Sequence, residues 1–91
     1  LIIRESARYF QLSEEDLRGQ NRSKATATAR QISMYLIRTL TNLPLKEIGA
    51  EYGDRNHSTV LSSIRKVEEM IKEDPMYSAA VRDITSNINS Q

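Results

Sequence analysis

The sequence predicts an all-α domain, a compact helical fold that contains a helix-turn-helix, on three observations. Apolar residues recur at helical spacing in four segments, and no stretch alternates apolar and polar residues as a half-buried strand does. Residues with helix-starting or helix-ending chemistry stand between those segments: Ser13, Gly19, Asn42, Gly53, Asn56 and Asp74-Pro75. The chain has no cysteine and a single phenylalanine, so a core of Leu, Ile and Val must hold it together without disulfide or thiolate metal site. Ninety-one residues are enough for one modest core, and the reading is one domain over 1–91.

Leu1 to Phe10 carries Ile3, Ala7 and Phe10 at helical spacing, with Arg4, Glu5, Ser6 and Arg8 between them. This reads as the end of an amphipathic helix within 1–12. It suits a connector from a preceding domain, a membrane-surface helix or a core helix, and core packing is the ordinary role of such a face. Leu1 is not an initiator methionine and falls in mid-helix, so the chain reads as a piece of something longer. Ser13 and Asp16 approximate a capping box. Glu14 and Glu15 suit the positive end of a helix dipole, Leu17 is the inward residue and Gly19 the stop.

Gly19 to Lys24 is a polar, basic loop without a large apolar anchor, expected to be mobile until it meets a partner. The strongest periodicity follows. Ala25, Ala29, Ile32, Leu36, Leu40 and Leu43 fall in a narrow arc of a helical wheel, which makes this the central helix, with Arg30 and Gln31 off that face. Asn42 and Pro44 close it. The last helix starts at Asp74-Pro75 and turns Tyr77, Ala80, Val81, Ile84 and Ile88 inward.

Residues 45–73 read as the helix-turn-helix. Leu45, Ile48, Gly49 and Tyr52 share one face of a short helix, and Gly49 within it lets another backbone come close. Gly53 ends that helix and Asn56 N-caps the next. There Val60, Ile64, Val67 and Ile71 face inward, and Ser58, Thr59, Ser62, Arg65 and Lys66 face out. Short donors at the start of a helix suit contact with base edges in a major groove, although a helical pair around a glycine turn occurs in many folds that never meet nucleic acid.

Charge points the same way. The net charge is +1, yet Arg18 to Lys66 holds nine basic residues against three acidic ones, and the remainder is acidic. A locally basic centre suits a polyanion, though it also describes an ordinary solvated face. No Gly-rich phosphate loop is present and the one histidine has no partner for a metal or a triad, so no catalysis is expected of this chain. No apolar run approaches membrane-spanning length and no signal peptide is evident, so the chain reads as cytoplasmic.

The block Gly53-Asp-Arg-Asn-His-Ser-Thr-Val60, preceded by Leu45-Lys-Glu-Ile-Gly49 and by Arg30-Gln31 and Arg22 upstream, resembles the C-terminal DNA-binding domain of DnaA, the bacterial chromosomal replication initiator. The resemblance covers essentially the whole chain. The family's usual block is Gly-Arg-Asp-His-Thr-Thr-Val, so Asn56 stands where Asp is commoner and Ser58 where Thr is. What the resemblance implies is binding of double-stranded DnaA boxes at replication origins. Arg22 would enter the minor groove and Asn56, His57 and Ser58 would read bases in the major groove. Lys24, Arg30, Gln31, Arg55, Thr59 and Lys66 would meet phosphates. It implies no cofactor or metal in this chain, and ATP and magnesium in a preceding ATPase domain. No spare apolar helix face is evident, so the isolated domain is expected to be monomeric, and the amphipathic N-terminal helix leaves acidic phospholipid as a further partner. Two alternatives stand beside it: a helix-turn-helix transcriptional regulator, and a helical module that binds protein or acidic lipid.

Overall fold

The computed structural model describes residues 1–91 as six helices: α1 (Ile2–Tyr9), α2 (Glu14–Arg18), α3 (Lys24–Thr41), α4 (Leu45–Ala50), α5 (His57–Glu73) and α6 (Pro75–Asn89). There is no strand, as the periodicity requires, and no helix is long and apolar enough to cross a membrane.

The boundaries follow local chemistry. Ser13 Oγ accepts from the Asp16 amide at 3.0 Å while the Asp16 carboxylate accepts from the Ser13 amide at 3.1 Å, a complete capping box. Ser23 caps α3, which puts Lys24 in the first turn of the helix rather than in the loop. Asn42 closes α3 in the left-handed conformation, and Arg38 donates to the Leu43 carbonyl at 2.6 Å beyond it. Asp74 Oδ1 accepts from the Met76 amide at 2.9 Å, with Pro75 in the first turn of α6.

α3 is the axis of the molecule. Its 18 residues span about 27 Å at 1.5 Å per residue, which matches the 28 × 26 × 25 Å extents of the whole domain. The middle of the helix is therefore covered on nearly every side. Ala29, Met34 and Ile37 join Ile3, Ala7, Leu17, Ile48, Tyr52, Val60 and Ile64 in one cluster, while Ile32 and Leu36 join Val67, Tyr77, Ala80 and Ile84 in a second. Its two ends meet solvent for the same reason. Ala25, Leu40 and Leu43, expected inside, are exposed.

Two polar groups are also displaced from expectation. Glu5 and Ser6 of α1 are buried, because α1 packs against both α3 and α6 and has little free surface between them. Glu5 accepts from the Gln91 side chain at 3.2 Å.

Tyr52 carries the most consequential buried polar contact of the core. Ser33 Oγ donates to the Arg30 carbonyl at 2.7 Å, which leaves it to accept from the Tyr52 hydroxyl at 2.6 Å. Burial pushes the phenol above its usual 10.0. The unfolded chain thus loses this proton first as pH rises, so stability attached to Tyr52 is complete below about pH 10 and falls above it. Tyr52→Phe should cost about 1 kcal/mol at neutral pH through the lost hydrogen bond. Urea unfolding at several pH values should show the gap between wild type and Tyr52→Phe narrowing above pH 10; a constant gap would contradict the assignment.

Candidate nucleic-acid interface

The interface begins with a turn that only glycine permits. The Gly49 carbonyl accepts from the amides of Tyr52 at 3.0 Å and Arg55 at 3.1 Å, drawing the chain back over α4. A Cβ on Gly49 would lie 2.0 Å from the Arg55 carbonyl oxygen, inside any contact distance. Gly53 and Asp54 then take consecutive left-handed conformations with φ of 72° and 57° and reverse the chain direction. Asn56 follows as N-cap of α5, its Oδ1 accepting from the Thr59 amide at 2.9 Å.

From this cap, α5 presents its two faces as the spacing predicts. Val60 and Ile64 are buried in the cluster that includes α3 and α4 residues, and Val67 in the one formed with α3 and α6. Asn56, His57, Ser58, Thr59, Ser62, Arg65 and Lys66 are exposed. Neither α3 nor α5 has an acidic residue in its first turn, whereas α2 has Glu14, Glu15 and Asp16 there. The positive ends of α3 and α5 are therefore left unneutralised, as suits a surface that receives an anion.

The loop before α3 carries Arg22 and is tied down by polar contacts. Asn21 Oδ1 accepts from the Ser23 amide at 2.9 Å, and Ser23 caps α3. Arg22 itself is exposed between these two, with no hydrogen bond or ion pair to the rest of the protein. The expectation of an unanchored loop is thereby corrected: no apolar residue holds it, but two arginines do.

Those two are Arg30 and Arg55. Arg30 Nε donates to the Leu17 carbonyl at 2.7 Å, and its Nη2 donates to the carbonyls of Asp16 at 2.8 Å and Asn21 at 3.0 Å. Arg55 Nη2 donates to the Gly19 carbonyl at 2.7 Å, and its Nη1 donates to Tyr52 and, at 3.5 Å, to Arg18. Neither guanidinium meets a carboxylate, since the ion pairs of the chain use Arg4, Arg8, Arg18 and Arg82. Burial, and after it the charge of Arg55, lowers the pKa of Arg30. Both residues were expected to reach phosphates. Arg30 instead points inward and Arg55, half-buried, bonds to protein, because a guanidinium offers five donors and the end of α2 offers a run of carbonyls.

Of the remaining expected residues, Arg22, Lys24, Asn56, His57, Ser58, Thr59 and Lys66 are exposed and Gln31 is half-buried. The sequence reading did not single out Lys46. It lies in the first turn of α4 and shares with Ala50, Asp54, Asn56 and His57 the wall of an open notch of about 330 Å³. A basic residue at the start of the first helix of the pair was the available signal, because that helix crosses the backbone when the second enters a groove.

A tight glycine turn and a capped second helix with a bare polar face, beside a loop that carries an arginine, define a helix-turn-helix domain. The model of the family described as bacterial DnaA protein helix-turn-helix matches residues 1–67, and the chain belongs to that family. It is 48% identical over 87 residues to the chromosomal replication initiator protein DnaA of Clavibacter sepedonicus, a match covering 96% of this chain and 18% of the relative. The corresponding protein of Enterococcus faecalis is 37% identical over 89 residues, covering 98% of this chain and 20% of the relative. Among solved structures, one described as a DNA replication initiation factor superposes with a TM-score of 0.79 at 31% identity, covering 96% of this chain and 28% of that one. The chain thus spans about a fifth of the length of these curated relatives.

The inward placement of Arg30 has a direct consequence. Arg30→Ala should destabilise the fold by about 3 kcal/mol, since three carbonyls lose a charged donor. Lys66→Ala, on an exposed face, should stay within about 0.5 kcal/mol of wild type. Denaturant unfolding of the two variants measures both; equal stabilities would refute the structural role of Arg30.

Proposed function

We propose that this chain is the sequence-specific, duplex-DNA-binding part of a replication initiator, recognising DnaA boxes at the origin. The observation that carries the reading is the joint exposure of Asn56, His57 and Ser58 at the capped start of α5, with Arg22 on a loop fastened to the same turn. In this reading the first turn of α5 enters the major groove. Lys24, Gln31, Thr59 and Lys66 meet phosphates, and Arg22 enters the adjacent minor groove, where narrow A·T-rich sequence concentrates negative potential. Arg30 and Arg55 serve mainly as structural supports in this reading, each giving three hydrogen bonds to backbone carbonyls.

Asn56 sets a preference of its own. Its Oδ1 already accepts from the Thr59 amide, so Nδ2, a donor with no partner in the protein, is the group freest to meet DNA. Such a group seeks an acceptor such as guanine O6 or N7, adenine N7 or thymine O4. An aspartate in its place is an acceptor only and favours the cytosine or adenine amine.

Within the parent protein, the chain acts as a monomeric reader in the cytoplasm, joined through the α1 side to a preceding ATPase domain that holds ATP and magnesium. No catalysis is assigned to the chain itself. Lipid contact through α1 has little to rest on, since Ile3 and Ala7 of its apolar face are buried in the core.

Titration of labelled duplexes tests the assignment. His57→Ala and Ser58→Ala should each lose ~1–3 kcal/mol of discrimination between a DnaA box and a scrambled duplex. Lys66→Ala should weaken both duplexes alike and reduce the salt slope by about 0.9 for one phosphate contact. Unchanged box preference in both helix-start variants would refute the reading. Asn56→Asp should keep the helix cap and move the preferred base at one box position toward cytosine or adenine. Superimposable preference profiles for the two proteins would remove Asn56 from the readout.

A further inference from the structure

Arg55 lies between the two DNA-facing elements yet is engaged with protein alone. It immediately precedes the cap of α5. Its guanidinium reaches across 36 residues of sequence to the Gly19 carbonyl, at the root of the Arg22 loop, and holds the Tyr52 carbonyl in the turn with the same fork. Arg30 fastens the other side of that loop at Asn21. A Cβ added at Gly53 would lie 3.3 Å from the Arg18 carbonyl, so the turn passes close to the loop root. Arg18 adds a third stitch, its Nη1 donating to the Glu51 carbonyl at 3.2 Å and to the Glu51 carboxylate at 3.0 Å.

From this arrangement we infer that Arg55 is a positioning residue that fixes the Arg22 loop in register with the start of α5, so that the two groove contacts act as one unit. The inference rests on the proposed minor-groove role of Arg22. Two contact sets held at a fixed separation bind as a chelate: seating one brings the other to its groove without further ordering. Arginine suits this role where lysine does not, because a planar fork holds carbonyls of two segments at once and a single ammonium on a flexible stem does not fix their relative orientation. The residue also keeps its positive charge close to the phosphates without contacting them.

The experiment is a double-variant cycle on the DnaA box, read by equilibrium titration at one salt concentration. Arg22→Ala and His57→Ala are exposed substitutions that leave the clasp intact. Each should weaken box binding by at least about fivefold, the lower end for one base contact. With a chelate, the double variant should lose clearly less than the product of the two single losses. Repeating the Arg22→Ala comparison in an Arg55→Lys background, verified by cooperative thermal unfolding, should find the effect of Arg22→Ala reduced to below about half of its wild-type fold-change. The amides of Gln20 to Ser23 should show lowered heteronuclear NOE values in free Arg55→Lys protein, with those of α5 unchanged.

Single losses that multiply as independent factors in the wild-type background would overturn the coupling, and this cycle does not depend on an Arg55 variant that folds. An undiminished Arg22→Ala effect in the Arg55→Lys background would overturn Arg55 as its carrier. If Arg22→Ala costs nothing even in wild type, the minor-groove reading itself fails and the inference falls with it, a result distinct from the other two.

Discussion

The loop before α3 and the turn before α5 are joined by guanidinium-to-carbonyl hydrogen bonds, and the surface proposed to face DNA rests on that joint. Arg30 and Arg55 take six backbone carbonyls between them, drawn from the end of α2, the loop before α3 and the turn before α5. Removing a charge from water is costly unless it is well hydrogen-bonded, and here several short bonds to carbonyl dipoles meet that condition. A carboxylate partner would meet it as well, but would cancel positive charge beside a surface that is to face phosphates. Carbonyls satisfy the guanidinium and leave its charge in place.

The packing behind this surface divides the labour along α3. Its middle is enclosed by α1, α2, α4, α5 and α6, and one side holds Val60, Ile64 and Val67 of α5 in register. α5 can afterwards present an outward face of short, polar and basic side chains, because none of its inward positions is needed for contact with a ligand. The turn between α4 and α5 is as constrained as the core: Gly49 leaves no room for a Cβ, and Tyr52, fully buried, pins the turn to Ser33 of α3.

Much of this was legible in the sequence, and what was not shares one cause. Capping residues and apolar periodicity act within a few residues, so Ser13, Asn56, Asp74 and the inward faces of α5 and α6 read correctly. The block from Asn56 to Thr59 read as outward-facing, and those four residues are exposed. The bonds of Arg30 and Arg55 were not legible because all their partners except Tyr52 lie 9 to 37 residues away, and sequence distinguishes a surface arginine from a buried one only through its neighbours. Such neighbours existed: Arg30 stands among Ala29, Ile32 and Ser33, on a helix with apolar or small residues nearly all round. Leu40 and Leu43 failed for the opposite reason, since periodicity marks a face but not where the neighbouring helices stop.

The central claim is that one bonded unit presents the start of α5 and the Arg22 loop to the same duplex. The most direct test is to map amide and side-chain NMR shifts while the labelled protein is titrated with a DnaA-box duplex. The account predicts that perturbations concentrate at Arg22 to Lys24 and at Asn56 to Lys66, appear together at the same DNA ratio, and leave the Arg30 Nε resonance in place. Perturbations centred on α6, or a loop that responds only at a higher ratio than α5, would contradict it.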